Sequence, residues 1–105
     1  MKIYGLKNCD TCRKALKLFP KADLVDVRAE AVPAPLLQAA LAEFGEKLVN
    51  TRSTTWRSLE ESERVRPPLE LLEAHPALMK RPLIDAGGRL YLGWDKTTQA
   101  ALGVA

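Results

Sequence analysis

The spacing of apolar positions changes along the chain, and each change marks an element. Lys2-Ile3-Tyr4-Gly5-Leu6 is a short apolar run that reads as a strand, closed by the polar pair Lys7-Asn8. Beyond it the apolar residues fall at 12, 15, 16 and 19, one face of a helix predicted over Asp10 to Phe19, with Arg13, Lys14 and Lys17 on the solvent side and Pro20 as its stop. Asp23 to Val27, where Leu24, Val25 and Val27 are apolar, is predicted as a second strand. A strand, a helix and a strand in so short a span imply a βαβ unit with parallel strands.

The pattern then turns helical. Pro33 and Pro35 open a longer helix with Leu36, Leu37, Ala40, Leu41 and Phe44 on its apolar face and Gly45 at its end. Leu48 to Thr55 reads as a polar loop whose threonines cap a short helix over Trp56 to Leu59, with Trp56 as a core anchor. Glu60 to Arg66 reads as a solvated charged surface. Leu69 to Ala74 is one more short helix, and His75, just before Pro76, is expected to cap its last carbonyls. Lys80 to Asp85 and Leu90 to Gly93 are predicted as an antiparallel pair joined by the tight turn Ala86-Gly87-Gly88-Arg89. Asp95 caps a last helix from Lys96 to about Leu102. The fold class is α/β, a mixed four-stranded sheet with helices inserted between its halves.

Composition narrows the function. A chain of 105 residues is read as one domain, 1–105, long enough to bury roughly two thirds of its unfolded surface. Sixteen Lys and Arg against thirteen acidic residues give a net charge of +3, too weak to argue for direct nucleic-acid binding and compatible with a small anionic ligand. No apolar run approaches about 18 residues, and no cationic start precedes an apolar segment, so neither a membrane span nor a signal peptide is expected. The expected compartment is the reducing cytoplasm, where a cysteine pair is more often catalytic than structural.

Those cysteines are Cys9 and Cys12, in Lys7-Asn8-Cys9-Asp10-Thr11-Cys12-Arg13, at the point where a strand hands over to a helix. C-x-x-C at such a junction is a redox signature, because free N–H groups and the positive end of the helix dipole favour a thiolate there. Cys9 is the better placed. Lowering a thiol pKa by two units takes roughly 2.7 kcal/mol, of which a helix end supplies about 0.3 to 2. Cations must supply the rest, and Lys7 and Arg13 are the nearby candidates. Zinc would need further ligands, and the sequence holds one His and no third Cys, so no metal site is expected.

Four separated stretches carry a resemblance: Tyr4-Gly5, Asn8 to Ala15, Asn50-Thr51-Arg52-Ser53-Thr54-Thr55-Trp56, and Lys80-Arg81-Pro82-Leu83-Ile84. In this order they resemble the arsenate reductase ArsC/Spx/YffB family, most strongly its short YffB-like branch. The resemblance implies a thioredoxin-like fold, with a core over 1–32 and 78–105 and an all-helical insertion over 33–77 between strands two and three. It puts the nucleophile on Cys9 and the anion-contacting arginines on Arg52 and Arg81. It matches Pro82 to a proline that is typically cis and faces the active-site cysteine.

An oxyanion or a mixed disulfide is then the implied substrate, with glutathione or a glutaredoxin-like protein as reductant and no bound cofactor. Guanidinium groups suit this task, since their planar forks pair with oxyanions and stay charged. Two departures bear on the substrate. Leu92 occupies the place of the third arginine found in reductases with arsenate chemistry, with Arg89 nearby in the turn. Cys12 stands where many such reductases have no thiol, which leaves open a Cys9–Cys12 disulfide and a second reading. That reading is a redox-sensing regulator of the Spx type that binds RNA polymerase, although Spx-type chains continue beyond the point where this one ends, at Ala105.

Overall fold

The computed structural model describes residues 1–104. Two compact units emerge, one formed by residues 1–30 and the described residues from 81 onward, the other by residues 31–80.

The first unit holds the sheet. Strands β1 (Lys2–Gly5), β2 (Asp23–Asp26), β3 (Leu83–Ala86) and β4 (Arg89–Leu92) lie in the order β2-β1-β3-β4. Strand β1 runs parallel to β2 and antiparallel to β3, and β3 pairs antiparallel with β4. The mixed sheet is the one the apolar pattern predicts. As an inner strand β1 buries Ile3, Tyr4 and Gly5 on both faces, and Leu6 just past its end is buried as well. Helix α1 (Asp10–Leu18) covers one face, packing Ala15 onto Ile3 and Ile84, with Leu16, Leu24, Tyr91, Trp94 and Leu102 around them.

The β3–β4 turn is made by Gly87 and Gly88, whose φ of 63° and 89° require residues without a Cβ penalty. Asp85 Oδ1 accepts from Gly88 N at 3.0 Å. Asp95 caps the last helix, here α6 (Lys96–Ala101), accepting from Thr98 N at 2.8 Å.

The second unit is the helical insertion between β2 and β3. It comprises α2 (Ala34–Phe44), α3 (Thr54–Ser58), α4 (Glu61–Arg64) and α5 (Pro68–Ala74), with 3-10 turns at Gly45–Leu48 and Pro76–Leu78. Leu37, Ala40, Leu48, Leu71, Leu72, Leu78 and Met79 form its buried interior, where α2 packs against α5. A single bridge between Val49 and Met79 ties its two 3-10 turns together.

Four expectations need correction in this unit. The cap of α3 is Ser53, not a threonine: its hydroxyl accepts from Trp56 N at 3.1 Å, so the helix starts two residues earlier than the apolar pattern suggests. Trp56 is only partly buried, and its ring lies under the Arg64 guanidinium, 5.6 Å from the ring centre. The charged stretch is no featureless surface. It contains α4, whose Arg64 donates to the carbonyls of Trp56 and Arg57 at 3.2 and 3.1 Å. Glu63 meets Arg66 at 2.9 Å and His75 at 3.2 Å, so the His75 ring turns to a carboxylate instead of to helix carbonyls.

Candidate active site

The site starts from a vacancy in strand β1. Side chains alternate along a strand, so Gly5 shares the face of Ile3, on which α1 packs. Ala15 covers Ile3, and Cys12, one helical turn earlier, comes down on Gly5. A Cβ added to Gly5 would overlap Cys12 Sγ. Gly5 does not have the positive φ that needs glycine; its role is to leave room for a sulfur.

Between β1 and α1 the chain turns tightly. Cys9 N donates to Leu6 O at 3.1 Å, closing the turn, and Cys9 O accepts from Arg13 N at 3.0 Å, opening the helix. Both backbone polar groups of Lys7 are held: its N–H by Asp26 Oδ2 at 3.2 Å, its carbonyl by Arg13 Nε at 2.9 Å. Asp26 also accepts from Arg28 N at 2.9 Å. Those amides, Arg28 first and then Lys7, hold the Asp26 carboxyl below the usual carboxylate range.

Cys9 therefore sits at the N-cap of α1 with extended backbone, φ −92° and ψ 119°, and is half-buried. Its sulfur closes no cap bond of full geometry, yet the N–H groups of Thr11 and Cys12 act on it. Burial pushes the thiol up. Hydrogen bonding from the Cys12 amide, the Cys12 thiol, the Arg81 guanidinium and the Thr11 amide more than offsets that and leaves Cys9 below the ordinary thiol range. Cys12 moves the opposite way, pushed up to about 11 mainly by burial. Two thiols three residues apart are thus shifted in opposite directions.

Among the cations singled out in the sequence, Arg81 acts on the Cys9 thiol. It stands just before Pro82, and the Arg81–Pro82 peptide bond is cis, as the resemblance implies. Pro82 is buried, with its carbonyl accepting from Gly93 N at 2.9 Å. Arg13 spends its Nε on the Lys7 carbonyl, and the Lys7 charge acts on Asp26. Arg52 belongs to the 31–80 unit, where it is exposed and its amide donates to Asn50 Oδ1 at 3.1 Å.

The place of the third arginine is also explicit. Leu92 pairs with Leu83, at the end of β3 nearest Arg81 and Pro82, whereas Arg89 pairs with Ala86 beside the turn. Three residues of strand separate them, about 10 Å. Arg89 is at the wrong end of the hairpin to replace the missing cation. No group of three or more metal-ligating side chains occurs among the described residues.

Asp26 and Gly5 were not singled out as site residues from the sequence. A glycine inside an apolar strand, four residues before a cysteine, is the available signal for the second. Aspartate two residues before an amide it can accept from is the signal for the first.

Comparison with known proteins identifies the family and the fold. The sequence matches the ArsC family over residues 4–102. An uncharacterized protein of Haemophilus influenzae is 39% identical over 109 residues, covering 94% of this chain and 96% of its own. The global transcriptional regulator Spx of Streptococcus pneumoniae is 29% identical over 99 residues, covering 85% of this chain and 74% of its own. The solved structure of a YffB protein superposes with a TM-score of 0.83 at 31% identity, covering 95% of this chain and 96% of that one.

Proposed function

Starting from the fact that the chain belongs to the ArsC family, we propose that it is a thiol reductase with Cys9 as nucleophile, dependent on glutathione or a glutaredoxin-like protein. The observation that carries this reading is the meeting of Arg81 with a Cys9 thiol lowered below its ordinary range at the start of α1. A larger thiolate fraction at neutral pH supplies the attacking species, and the guanidinium offsets the like-charge repulsion of an anionic substrate.

With a mixed disulfide, Cys9 sulfur bonds to one sulfur of the substrate as the original S–S bond breaks, and the departing thiolate takes the electron pair and then a proton. A glutathione thiolate next attacks the new disulfide, releasing Cys9 and carrying away the oxidised sulfur. With an arsenate-like oxyanion the first bond runs from sulfur to arsenic and water leaves. An external thiolate then attacks the arsenic-bound sulfur, forming a mixed disulfide as the S–As bond breaks and its electron pair reduces arsenic(V) to arsenite. A second external thiol resolves that disulfide and restores Cys9. Arg52 is proposed as a further anion-binding residue, as the resemblance implies. The leucine at position 92 favours the mixed disulfide over arsenate, since it places no positive charge beside Leu83.

A second reading is a redox-sensing regulator of the Spx type with RNA polymerase as partner. It is favoured by the contact between the Cys9 and Cys12 thiols and by the likeness to pneumococcal Spx. Turnover of arsenate and of a glutathione mixed disulfide, measured with glutathione and glutaredoxin, separates the two. The reductase reading expects turnover that Cys9→Ser abolishes. No turnover of either substrate, together with retention of RNA polymerase in a pull-down, would reject it for the regulator.

A further inference from the structure

We propose that the outer edge of β2 and the basic flank of α1 form a docking groove for an extended acidic segment of a partner protein, which adds to the sheet as a fifth strand. The inference goes beyond the reductase reading and does not depend on it.

Strand β2 closes one side of the sheet, with β1 as its neighbour. Asp23 N donates to Met1 O at 3.1 Å and Val27 N to Gly5 O at 2.9 Å, so residues 23, 25 and 27 spend their backbone groups on β1. Leu24 and Asp26 alternate with them and turn theirs outward. The Asp26 carbonyl accepts from Ala29 N and Glu30 N at 3.0 and 2.9 Å. That leaves the N–H and C=O of Leu24 and the N–H of Asp26 facing outward, and no strand of the described residues lies beyond them.

This edge opens into a groove of about 530 Å³, lined by Arg13, Leu16 and Lys17 of α1 and by Ala22, Asp23 and Leu24 beside them. Leu24 stands opposite Ile3, so its side chain lies on the face that α1 covers. A strand added next to it points alternate side chains to the flank that carries Arg13 and Lys17. Against those two cations the groove sets one carboxylate, Asp23. Among the described residues no ion pair engages Arg13, Lys17 or Lys21. A second hollow adjoins at Pro20 and Ala22, where Met1 and Leu18 keep 42% and 50% of their surface exposed beside Lys21. It supplies an apolar seat at the Asp23 end of the edge.

Charge selects the occupant. A strand on an open edge gains main-chain hydrogen bonds whatever its sequence, and its side chains decide which sequence binds. Here the cations call for Asp or Glu at alternate positions. A second copy fits poorly: antiparallel pairing of two β2 edges about an axis normal to the sheet keeps both α1 helices on one face and brings their Arg13 and Lys17 charges together. A nucleic acid has no ladder of alternating N–H and C=O groups to offer the edge.

The test uses the full chain carrying Cys9→Ser, which separates docking from thiol chemistry. A blocked hexapeptide of alternating glutamate and valine is titrated while the backbone amides are followed by NMR. The Leu24 and Asp26 amides are expected to shift together with those of α1, and Leu24 N–H to exchange with solvent severalfold more slowly. Lys17→Glu combined with Lys21→Glu, both on the surface, is expected to weaken binding about tenfold, and added salt to weaken it too. Leu24→Pro removes the outward N–H and no bond to β1, and is expected to abolish binding; should that variant not fold, the two lysine reversals decide. A hexapeptide of alternating lysine and valine is expected not to bind. No shift at Leu24 with the acidic peptide, equal binding of the basic one, or indifference to the lysine reversals would overturn the proposal. Leu24 shifts that grow with protein concentration alone would give the edge to a second copy. A DNA oligonucleotide that binds the α1 flank more tightly than the acidic peptide would give that flank to nucleic acid. Either result overturns the proposal and leaves the reductase reading untouched.

Discussion

Arg81 meets the Cys9 thiol because β3 lies antiparallel beside β1, with Leu83 opposite Tyr4. Continuing that register past the strand ends brings Pro82 level with Gly5 and Arg81 level with Leu6, at the end of the sheet from which the 6–9 turn leads to α1. A residue far along the chain thus reaches the start of the first helix by strand pairing alone. Arginine suits this place because its guanidinium stays charged at every pH at which Cys9 reacts.

Asp26 should hold the turn before Cys9 in a pH-dependent way. Its carboxyl is lowered by the Arg28 and Lys7 amides, so it stabilises the fold above its unfolded pKa, near 3.9, and that contribution is lost as pH falls through the lower folded value. Denaturation midpoints at pH 7 and pH 3 should differ more for the unaltered chain than for Asp26→Asn. An identical difference in both would remove Asp26 from the account.

Gly88 is a conformational requirement far from the chemistry. At φ 89° a Cβ is disfavoured, and Gly88→Ala should lower stability by about 1–2 kcal/mol in a urea titration while leaving the Cys9 alkylation rate unchanged. A change in rate would show that the hairpin turn and the site are coupled.

Arg64 is expected to support α3. Replacing it with alanine removes two hydrogen bonds to the Trp56 and Arg57 carbonyls and the contact over the Trp56 ring, a loss of about 1–2 kcal/mol. Arg64→Lys should recover little, because a single ammonium cannot span both carbonyls in the same plane. Urea unfolding followed by tryptophan fluorescence measures both, and a stability equal to that of the unaltered chain would contradict the assignment.

Local patterns made most of the fold readable. The strand Lys2 to Leu6, the helix stopped by Pro20 and the glycine turn at 87 and 88 are each specified by neighbours in sequence, and each lies within a residue or so of its expected bounds. The insertion was less legible. Ser53 outcompeted the threonines as a cap, and the Glu63–Arg66 pair draws in His75 from beyond the next helix, a contact that no period reveals. At the site, C-x-x-C at a strand–helix junction pointed to Cys9 directly. The cation acting on it is not the one nearest in sequence: the Lys7 amide donates to Asp26 and the Arg13 Nε to the Lys7 carbonyl, while Arg81 arrives through sheet register.

The most direct measurement is the rate of alkylation of each cysteine as a function of pH, in the unaltered chain and in Arg81→Ala, with Arg57→Ala as control. The account predicts that Cys9 is labelled first, with a midpoint below that of a free thiol near 8.5. It predicts a higher midpoint in Arg81→Ala, none of that change in Arg57→Ala, and a Cys12 that stays unlabelled while the fold is intact. A Cys9 midpoint at or above the free-thiol value, or one that ignores the loss of Arg81, would contradict it.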